Sequence, residues 1–476
     1  MRVAVVGAGI VGASTAWHAA GLGADVVLAG RAQPGEATAA GAGIVCPWAS
    51  ENDDPDWFRA AAEGARYYPG LVAELTEAGE RSLGHRTVGA LALAADDADL
   101  YRIRQRVLER RRGAADTGEV DLLDTSAARS LFPPLAPGLH AVRIAAGARV
   151  DGGRLRDALL RQARWRGADV RSGRAALLRT GDRVTGVEVD GERIAADAVV
   201  VAAGAWAPEL LAPVGITVRI APQRGQIAHL SLPGAGTGRW PVVMPRATGH
   251  YLVPFDGSRV VAGATRESGT GFDHRVTAGG LAEVLAEALA VAPGLADATH
   301  LETRVGFRPV GPDIRPLLGR VPGLDGLIVA DGLGPTGLTV GPWAGRVAAL
   351  LAAGADPGLD LGAYDPVPDR RTVPAGARRT REGARGRAPT HPPLPTLCPL
   401  LMLPIRGGLG ARRPIRGPWR YEAPPIGDTS RNRYPYDVRF GRPALPRAVD
   451  RRRHRSGQEH PGDNPGAAAR RRHLPR

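Results

Sequence analysis

Six residues near the start of the chain, Gly7-Ala8-Gly9-Ile10-Val11-Gly12, constrain its fold more than any other stretch. They follow a short apolar run at residues 3–6 and precede a run of small residues from Ala13 to Ala20. Each glycine of G-x-G-x-x-G has a physical task when it lies between a strand and a helix. The first permits the tight turn, the second lets the backbone approach a pyrophosphate, and the third packs helix against strand. The helix then offers that anion its unpaired N–H groups and the positive end of its dipole. In a chain with 64 glycines the pattern by itself says little. Its place between these two elements is what makes it specific. Val26 to Ala29 supplies the next apolar strand, completing a βαβ unit.

The choice of nucleotide turns on the end of that second strand. An acid there would hold a ribose hydroxyl, and an Arg nearby would suit a 2′-phosphate. This chain has Gly30 followed by Arg31, which read in isolation favours NADP. Three later stretches favour FAD. "GEATAAGAGIVCP" brings Thr38, Gly43 and several small residues directly after the second strand, leaving room for a large cofactor against backbone. "VVVAAGAW" is a mid-chain apolar strand that runs into Ala203, Gly204 and Trp206. "DGLGPTGLTVGP" sets Gly332, Gly334, Thr336, Gly337, Leu338 and Thr339 at the head of another helix. Nicotinamide-binding domains are usually built from consecutive βα units, whereas here the elements are spread from residue 7 to residue 339 with other material between. That dispersal suits an enclosed FAD. Gly30 then marks a weakened ribose contact, with Arg31 along the adenosine or Glu36 as the acceptor, and Gly30→Asp is expected to tighten FAD.

Elsewhere the periodicity predicts helix through much of 56–112, with a break near Gly84–Gly89, and an amphipathic helix over "RLRDALLRQARWRG". Hairpins are expected to turn at Asp190-Gly191 and at Asp256-Gly257. A helix is expected to start at a Thr277 cap and stop at Pro293-Gly294.

All 62 basic residues are Arg. The formal charge of +14 divides unevenly: residues 1–368 carry 37 Arg and 40 acids, and the last 108 carry 25 Arg and 8 acids. The body therefore has an ordinary balance and needs neither nucleic acid nor a membrane surface to explain it. Residues 368–476 are rich in Arg, Pro and Gly without a sustained period, which points to disorder or to out-of-frame sequence. A basic arm of that kind is also the basis of an alternative reading as a nucleic-acid-binding protein. Cys46 and Cys398 build no disulfide framework, and the chain opens directly on strand and loop, so a cytoplasmic location without signal peptide or transmembrane segment is expected.

Residues 1–365 resemble the flavin-dependent amino-acid oxidoreductases of the D-amino acid oxidase superfamily, in the branch of glycine oxidases, sarcosine oxidases and bacterial D-amino acid dehydrogenases. The resemblance rests on "VAVVGAGIVGASTA", "TAAGAGIV", "DAVVVAAGAWAPEL", "YLVP", "RVVAGAT", "VGFRPVGPDIRPLLG" and "GLGPTGLTVGP", in the family's order. It implies an α/β fold: a Rossmann-type FAD domain assembled from 1–85, 146–218 and 305–366, with a mainly β substrate domain from 86–145 and 219–304. It also implies noncovalent FAD and oxidation of a small amino acid (a D-amino acid, glycine or an N-methyl amino acid), with oxygen or a quinone as acceptor. No side chain is expected to be essential as acid or base. Arg308 matches the family's carboxylate-binding Arg and Tyr251 the Tyr that supports it; a guanidinium fork suits that task. Arg266 is a further candidate, for the same carboxylate or for a second acidic group. His250 and His274 are read as structural. Two departures bear on the substrate. Pro335 stands where glycine oxidases place an extra polar residue. The chain also lacks both the Lys and the flavin-attaching Cys of sarcosine oxidases.

Overall fold

The computed structural model describes residues 1–113, 117–246 and 249–367. The expectations for 368–476, including the nucleic-acid alternative, lie outside these residues.

A six-stranded sheet is built around the opening strand. Its order is Leu317–Arg320, Leu327–Asp331, Ala198–Val201, Arg2–Val6, Asp25–Gly30, Asp169–Ser172. All neighbours are parallel except the first pair. A parallel sheet must be covered on both faces, and the alternation of residues assigns them. Val3, Val5 and Val200 join a core with the helices Ile10–Gly21 and Gly337–Ala352. Ala4, Val6, Val199 and Val201 join a second core with a three-stranded sheet, Ala175–Thr180, Arg183–Val189 and Glu192–Ala195. The turn at Asp190 and Gly191 has positive φ at both residues, as the Asp-Gly pair predicts.

The other large sheet has nine strands and is mostly antiparallel. Tyr251–Phe255 and Arg259–Gly263 form the expected hairpin at its centre. Ala221–Ser231 pairs on one side with Arg259–Gly263 and on the other with the long strand Thr299–Val310. The helix Ala278–Val291, capped by Thr277 Oγ1 accepting from Gly280 N–H at 3.2 Å, packs Val284 and Ala288 against this sheet.

The helical expectation for 56–112 requires a correction. Helices Pro55–Glu77 and Asp97–Gly113 flank a buried strand, Ala90–Ala94. "ALALA" has high helix propensity, but Leu91 and Leu93 fill one core while Ala90, Ala92 and Ala94 fill another. Period-two burial on two faces overrides intrinsic preference.

The parallel sheet draws all its strands from the segments expected to bind the cofactor. The strand Thr299–Val310, however, runs straight across residue 305, where the sequence placed a boundary. We propose the two-part division as two halves of one body joined by that strand.

The helices Ile10–Gly21 and Gly337–Ala352 cross at very short range. A β-carbon on Gly345 would sit 2.5 Å from Ser14 Cβ and 2.6 Å from Val11 O. Ser14 Oγ donates to Pro342 O at 2.6 Å at the same crossing. Gly345→Val is therefore expected to cost about 1–3 kcal/mol of stability by overpacking. It should also weaken cofactor retention, because both helices begin at the same cleft. Thermal denaturation and the flavin content of the purified variant check this.

Candidate active site

The carboxyl ends of the central parallel strands open onto one cleft of about 1850 Å³, counting its open mouth. Such a crevice is where α/β sheets bind nucleotides. Gly7, at φ +114°, donates its N–H to Ala29 O at 2.8 Å. A β-carbon there would lie 2.1 Å from Ala202 O, and one on Gly12 would lie 1.8 Å from Gly7 O. Gly7 thus lets two strand ends meet, and Gly12 lets the helix sit on the turn. Gly9 begins the helix without a side-chain cap, and Thr38 Oγ1 reaches across to accept from Ile10 N–H at 3.0 Å.

Gly7, Ala8, Gly9, Ile10 and Val11 line the cleft, as do Gly30, Arg31, Thr38 and Gly43. So do Ala203, Gly204, Trp206, Gly334, Gly337 and Leu338. Four residues expected at the cofactor are not among its lining. Gly12 is buried under the turn. Gly332, at φ +68°, shapes the loop. Thr336 Oγ1 donates to Leu333 O at 2.8 Å, and Thr339 Oγ1 donates to Ile44 O at 2.9 Å. These hydroxyls brace the loop and the neighbouring chain.

At the end of the cleft beside the second strand, Arg31 Nη2 donates to Gln33 Oε1 at 3.2 Å. Glu36 accepts from Gln33 N–H at 3.1 Å and from Arg156 Nη1 at 3.1 Å. A β-carbon on Gly30 would lie 2.6 Å from Ala8 Cβ and 2.8 Å from Ala8 N. Gly30 is therefore needed for a close approach of the second strand to the glycine turn. The expectation that an acid at residue 30 would tighten the cofactor is corrected accordingly.

Asp331, which the sequence reading passed over, ends the strand Leu327–Asp331 in the cleft wall and is only 3% exposed. Its Oδ1 accepts from Gly332 N–H at 2.8 Å, and its Oδ2 has no partner among the described residues. Burial raises its pKa to about 7, against the opposing pull of the Gly332, Gly204 and Ala203 N–H groups. The signal in the sequence was an acid closing an otherwise apolar strand just before a Gly-rich loop.

The other end of the cleft is lined by Tyr251, Phe307 and Arg308. Phe307 N–H donates to Gly35 O at 2.9 Å. Trp206 stacks on Phe272 with ring centroids 5.0 Å apart, and Phe307 meets both edge-on. Arg308 lies over Gly225, where a β-carbon would be 2.5 Å from Nη1, and it donates to Thr265 O at 3.0 Å. Thr265 is itself fixed, its Oγ1 accepting from Gln226 N–H at 2.9 Å and donating to Glu267 Oε1 at 2.7 Å. Glu267 in turn accepts from Arg224 Nε at 3.0 Å. Burial raises the Tyr251 pKa, while Arg308 and Arg266 oppose that shift. Arg266 is not in the lining; it stands at the exposed rim and donates to Gly249 O at 2.7 Å. His250 lies 3.4 Å from Glu283, and His274 is exposed. Cys46 is buried, and burial pushes its thiol up to about 12, which leaves it a packing residue.

One continuous cavity thus joins a pyrophosphate-type turn to an arginine–tyrosine pair. Residues 2–351 match the family described as DAO, FAD dependent oxidoreductase. The chain belongs to this family of FAD-dependent oxidoreductases. It is similar to an iminodiacetate oxidase of known structure from Chelativorans sp. BNC1, with TM-score 0.75 and 51% identity over 77% of this chain and 99% of that one. It is 49% identical to the uncharacterized oxidoreductase YurR of Bacillus subtilis, covering 76% of this chain and 97% of that protein. It is 32% identical to a glycine oxidase of Pseudomonas aeruginosa, covering 77% and 98%. Membership sets aside the NADP reading of Gly30-Arg31.

The cleft fits FAD on its own evidence. The Gly7–Val11 turn and helix start would hold a pyrophosphate, and Asp331 Oδ2, without a hydrogen-bond partner among the described residues, would accept from a hydroxyl such as a ribityl chain carries. Among the described residues no helix is long and apolar enough to cross a membrane.

Two outcomes are expected. Gly30→Asp should weaken FAD binding, read as a raised Kd by flavin fluorescence titration. Asp331 bears on pH: with its folded pKa raised from 3.8 to about 7, its contribution to stability is fully present below pH 3.8 and is lost as pH rises through 7. Asp331→Asn removes that ionisation, so apoprotein Tm should gain on the parent between pH 5 and pH 8. An unchanged difference between the two proteins would refute the assignment.

Proposed function

We propose that the chain oxidises a small amine bearing an α-carboxylate. The observation that carries this reading is the placement of Arg308 and Tyr251 in the same cavity as the cofactor turn, with Arg308 in no ion pair among the described residues. A half-buried guanidinium without a carboxylate partner is held ready for one. The relatives named glycine oxidase and iminodiacetate oxidase act on amines of this kind.

FAD, when bound, would supply a two-electron acceptor for the α-hydrogen as hydride. The chain's own residues do the rest by positioning. Gly225 and Thr265 O hold the Arg308 fork on the cleft wall. Tyr251 lies within reach of the Arg308 charge and can donate its hydroxyl proton to the substrate carboxylate. Phe307 and Trp206 line this end with apolar surface, and Phe272 stacks on Trp206 from outside the lining. With the carboxylate fixed, the α-carbon is confined near the cofactor, which is the entropic part of the acceleration. The amine loses a hydride from carbon and a proton from nitrogen, and the resulting imine is hydrolysed to a carbonyl product and an amine or ammonia. None of these steps requires an acid or base from the protein.

Anaerobic mixing of the holoenzyme with D-amino acids, glycine and N-methyl amino acids should bleach the oxidised flavin spectrum, and admission of oxygen then separates an oxidase from a quinone-linked dehydrogenase. Bleaching by none of these amines would sink the reading. Arg308→Ala should lower kcat/KM about 100-fold or more while FAD stays bound, and Tyr251→Phe about 10-fold. Unchanged kinetics in Arg308→Ala would remove its carboxylate role.

A further inference from the structure

Among the described residues Asp331 is the only buried acid, and it stands in the wall of the cofactor cleft. Holding a substrate on Arg308 and Tyr251 makes no use of it. It closes the strand Leu327–Asp331, whose other four residues are apolar and buried. Gly332 N–H answers Oδ1 at 2.8 Å, and no donor or acceptor among the described residues answers Oδ2. A buried carboxylate answered on one side only is costly as an ion. Burial accordingly raises its pKa to about 7, while the N–H groups of Gly332, Gly204 and Ala203 pull the other way. No charged side chain enters that balance. The charges on the elements packed around Asp331 are committed elsewhere. Arg315 leads into the strand Leu317–Arg320, whose Leu317 pairs with Asp331, and it is bound to Asp54 at 3.1 Å. Arg320, on the same strand, donates to Leu351 O. Arg346, on the helix Gly337–Ala352, bears on His18. Arg308 lies on the strand whose Val310 bridges to Leu333, and Thr265 O holds it. Glu209, on the short helix beyond Gly204, lines the cleft without acting on Asp331. Burial and three N–H dipoles thus oppose each other alone, and one added donor decides the charge.

The occupant of the cleft can supply that donor. We propose that Asp331 gives up its proton when FAD binds and, as a carboxylate, accepts a hydroxyl of the cofactor's ribityl chain, so that cofactor uptake is coupled to proton release. The carboxyl proton leaves to solvent, and the ribityl O–H donates to Oδ2 without breaking. A hydrogen bond to an ionised acceptor is the stronger kind, so it favours the carboxylate over the acid. Each unit by which it lowers the carboxyl pKa is tenfold in FAD affinity. The sign follows from linkage. Below the lowered value Asp331 is protonated with or without FAD, and affinity is constant. Between that value and about 7 affinity rises with pH, and above it the group is ionised in both states and affinity levels off. This inference requires FAD in the cleft and does not depend on which amine is oxidised.

The test reads the Kd for FAD from the fluorescence of flavin released when full-length holoenzyme is diluted, between about pH 5.5 and about pH 8.5. The native protein should hold FAD about 10-fold more tightly at the upper end than at the lower. Asp331→Asn and Asp331→Ser carry no ionisable group there, so both should give flat profiles and bind FAD about 10-fold more weakly than the native protein at the upper end. ADP, which has the adenosine and pyrophosphate but no ribityl chain, is titrated as a competitor of FAD. Its affinity should follow the same pH profile in the native protein and in Asp331→Asn. A native FAD profile that is flat, or that falls with rising pH, overturns the proposal without any variant. A rise that survives in Asp331→Asn belongs to another group and also overturns it. A rise in ADP affinity that Asp331→Asn abolishes assigns the carboxylate to the adenosine half and overturns the ribityl contact. Flavin bleaching by amines at saturating FAD is read separately. A flat pH profile with bleaching intact leaves amine oxidation standing, and the expected profile without bleaching by any amine leaves the Asp331 assignment standing.

Discussion

Two missing β-carbons, at Gly7 and Gly12, are the constraint on which the rest of this structure depends. With a side chain at either, the first strand could not meet Ala202 and the first helix could not rest on the turn. Because both are glycine, three backbone segments converge where the parallel strands end, and residues of each line one cavity. Close packing spreads outward from that point. The helix Gly337–Ala352 lies against Ile10–Gly21 at Gly345, and Gly43 fits against Val150 O. Cofactor cradle and core are therefore the same piece of packing, and a fault in one should appear in the other.

The second half of the molecule solves a different problem, that of holding positive charge in partial burial without neutralising it. Arg224 is paired with carboxylates and stiffens the strand beside the cleft. Arg308 and Arg266 are instead held by carbonyl oxygens and stacked on glycines. A carbonyl fixes the direction of a guanidinium while leaving its charge available. Arg308 is the one of these that we propose as a ligand-binding residue, in a chain whose 62 basic residues are all arginine.

Much of this was legible beforehand. The glycine turn, the hairpins at Asp190-Gly191 and Asp256-Gly257 and the Thr277-capped helix carry local signals, because the backbone conformations involved admit few residue types. "ALALA" was not legible, since the same five residues suit a helix until two cores claim alternate sides. Gly30 was misread for a related reason. From the sequence it was an acid gone missing, and only the proximity of Ala8 shows it as a residue the packing needs. Asp331 was overlooked because one acid closing an apolar strand means little until its burial and its unpartnered oxygen are seen.

The sequence by itself determined the nucleotide-binding unit, and its resemblance to the family pointed to the kind of cofactor and to the arginine and tyrosine that share its cleft. The first follows from a short motif whose residue types answer local demands of turn geometry. The tertiary structure alone decided which predicted residues face the cavity and which brace it, and it put half-buried Arg308 in the lining while leaving Arg266 exposed outside it. Those distinctions depend on strands far apart in the chain. Thr299–Val310 must lie along Ala221–Ser231 before Arg308 can reach Thr265, and no local pattern encodes that meeting.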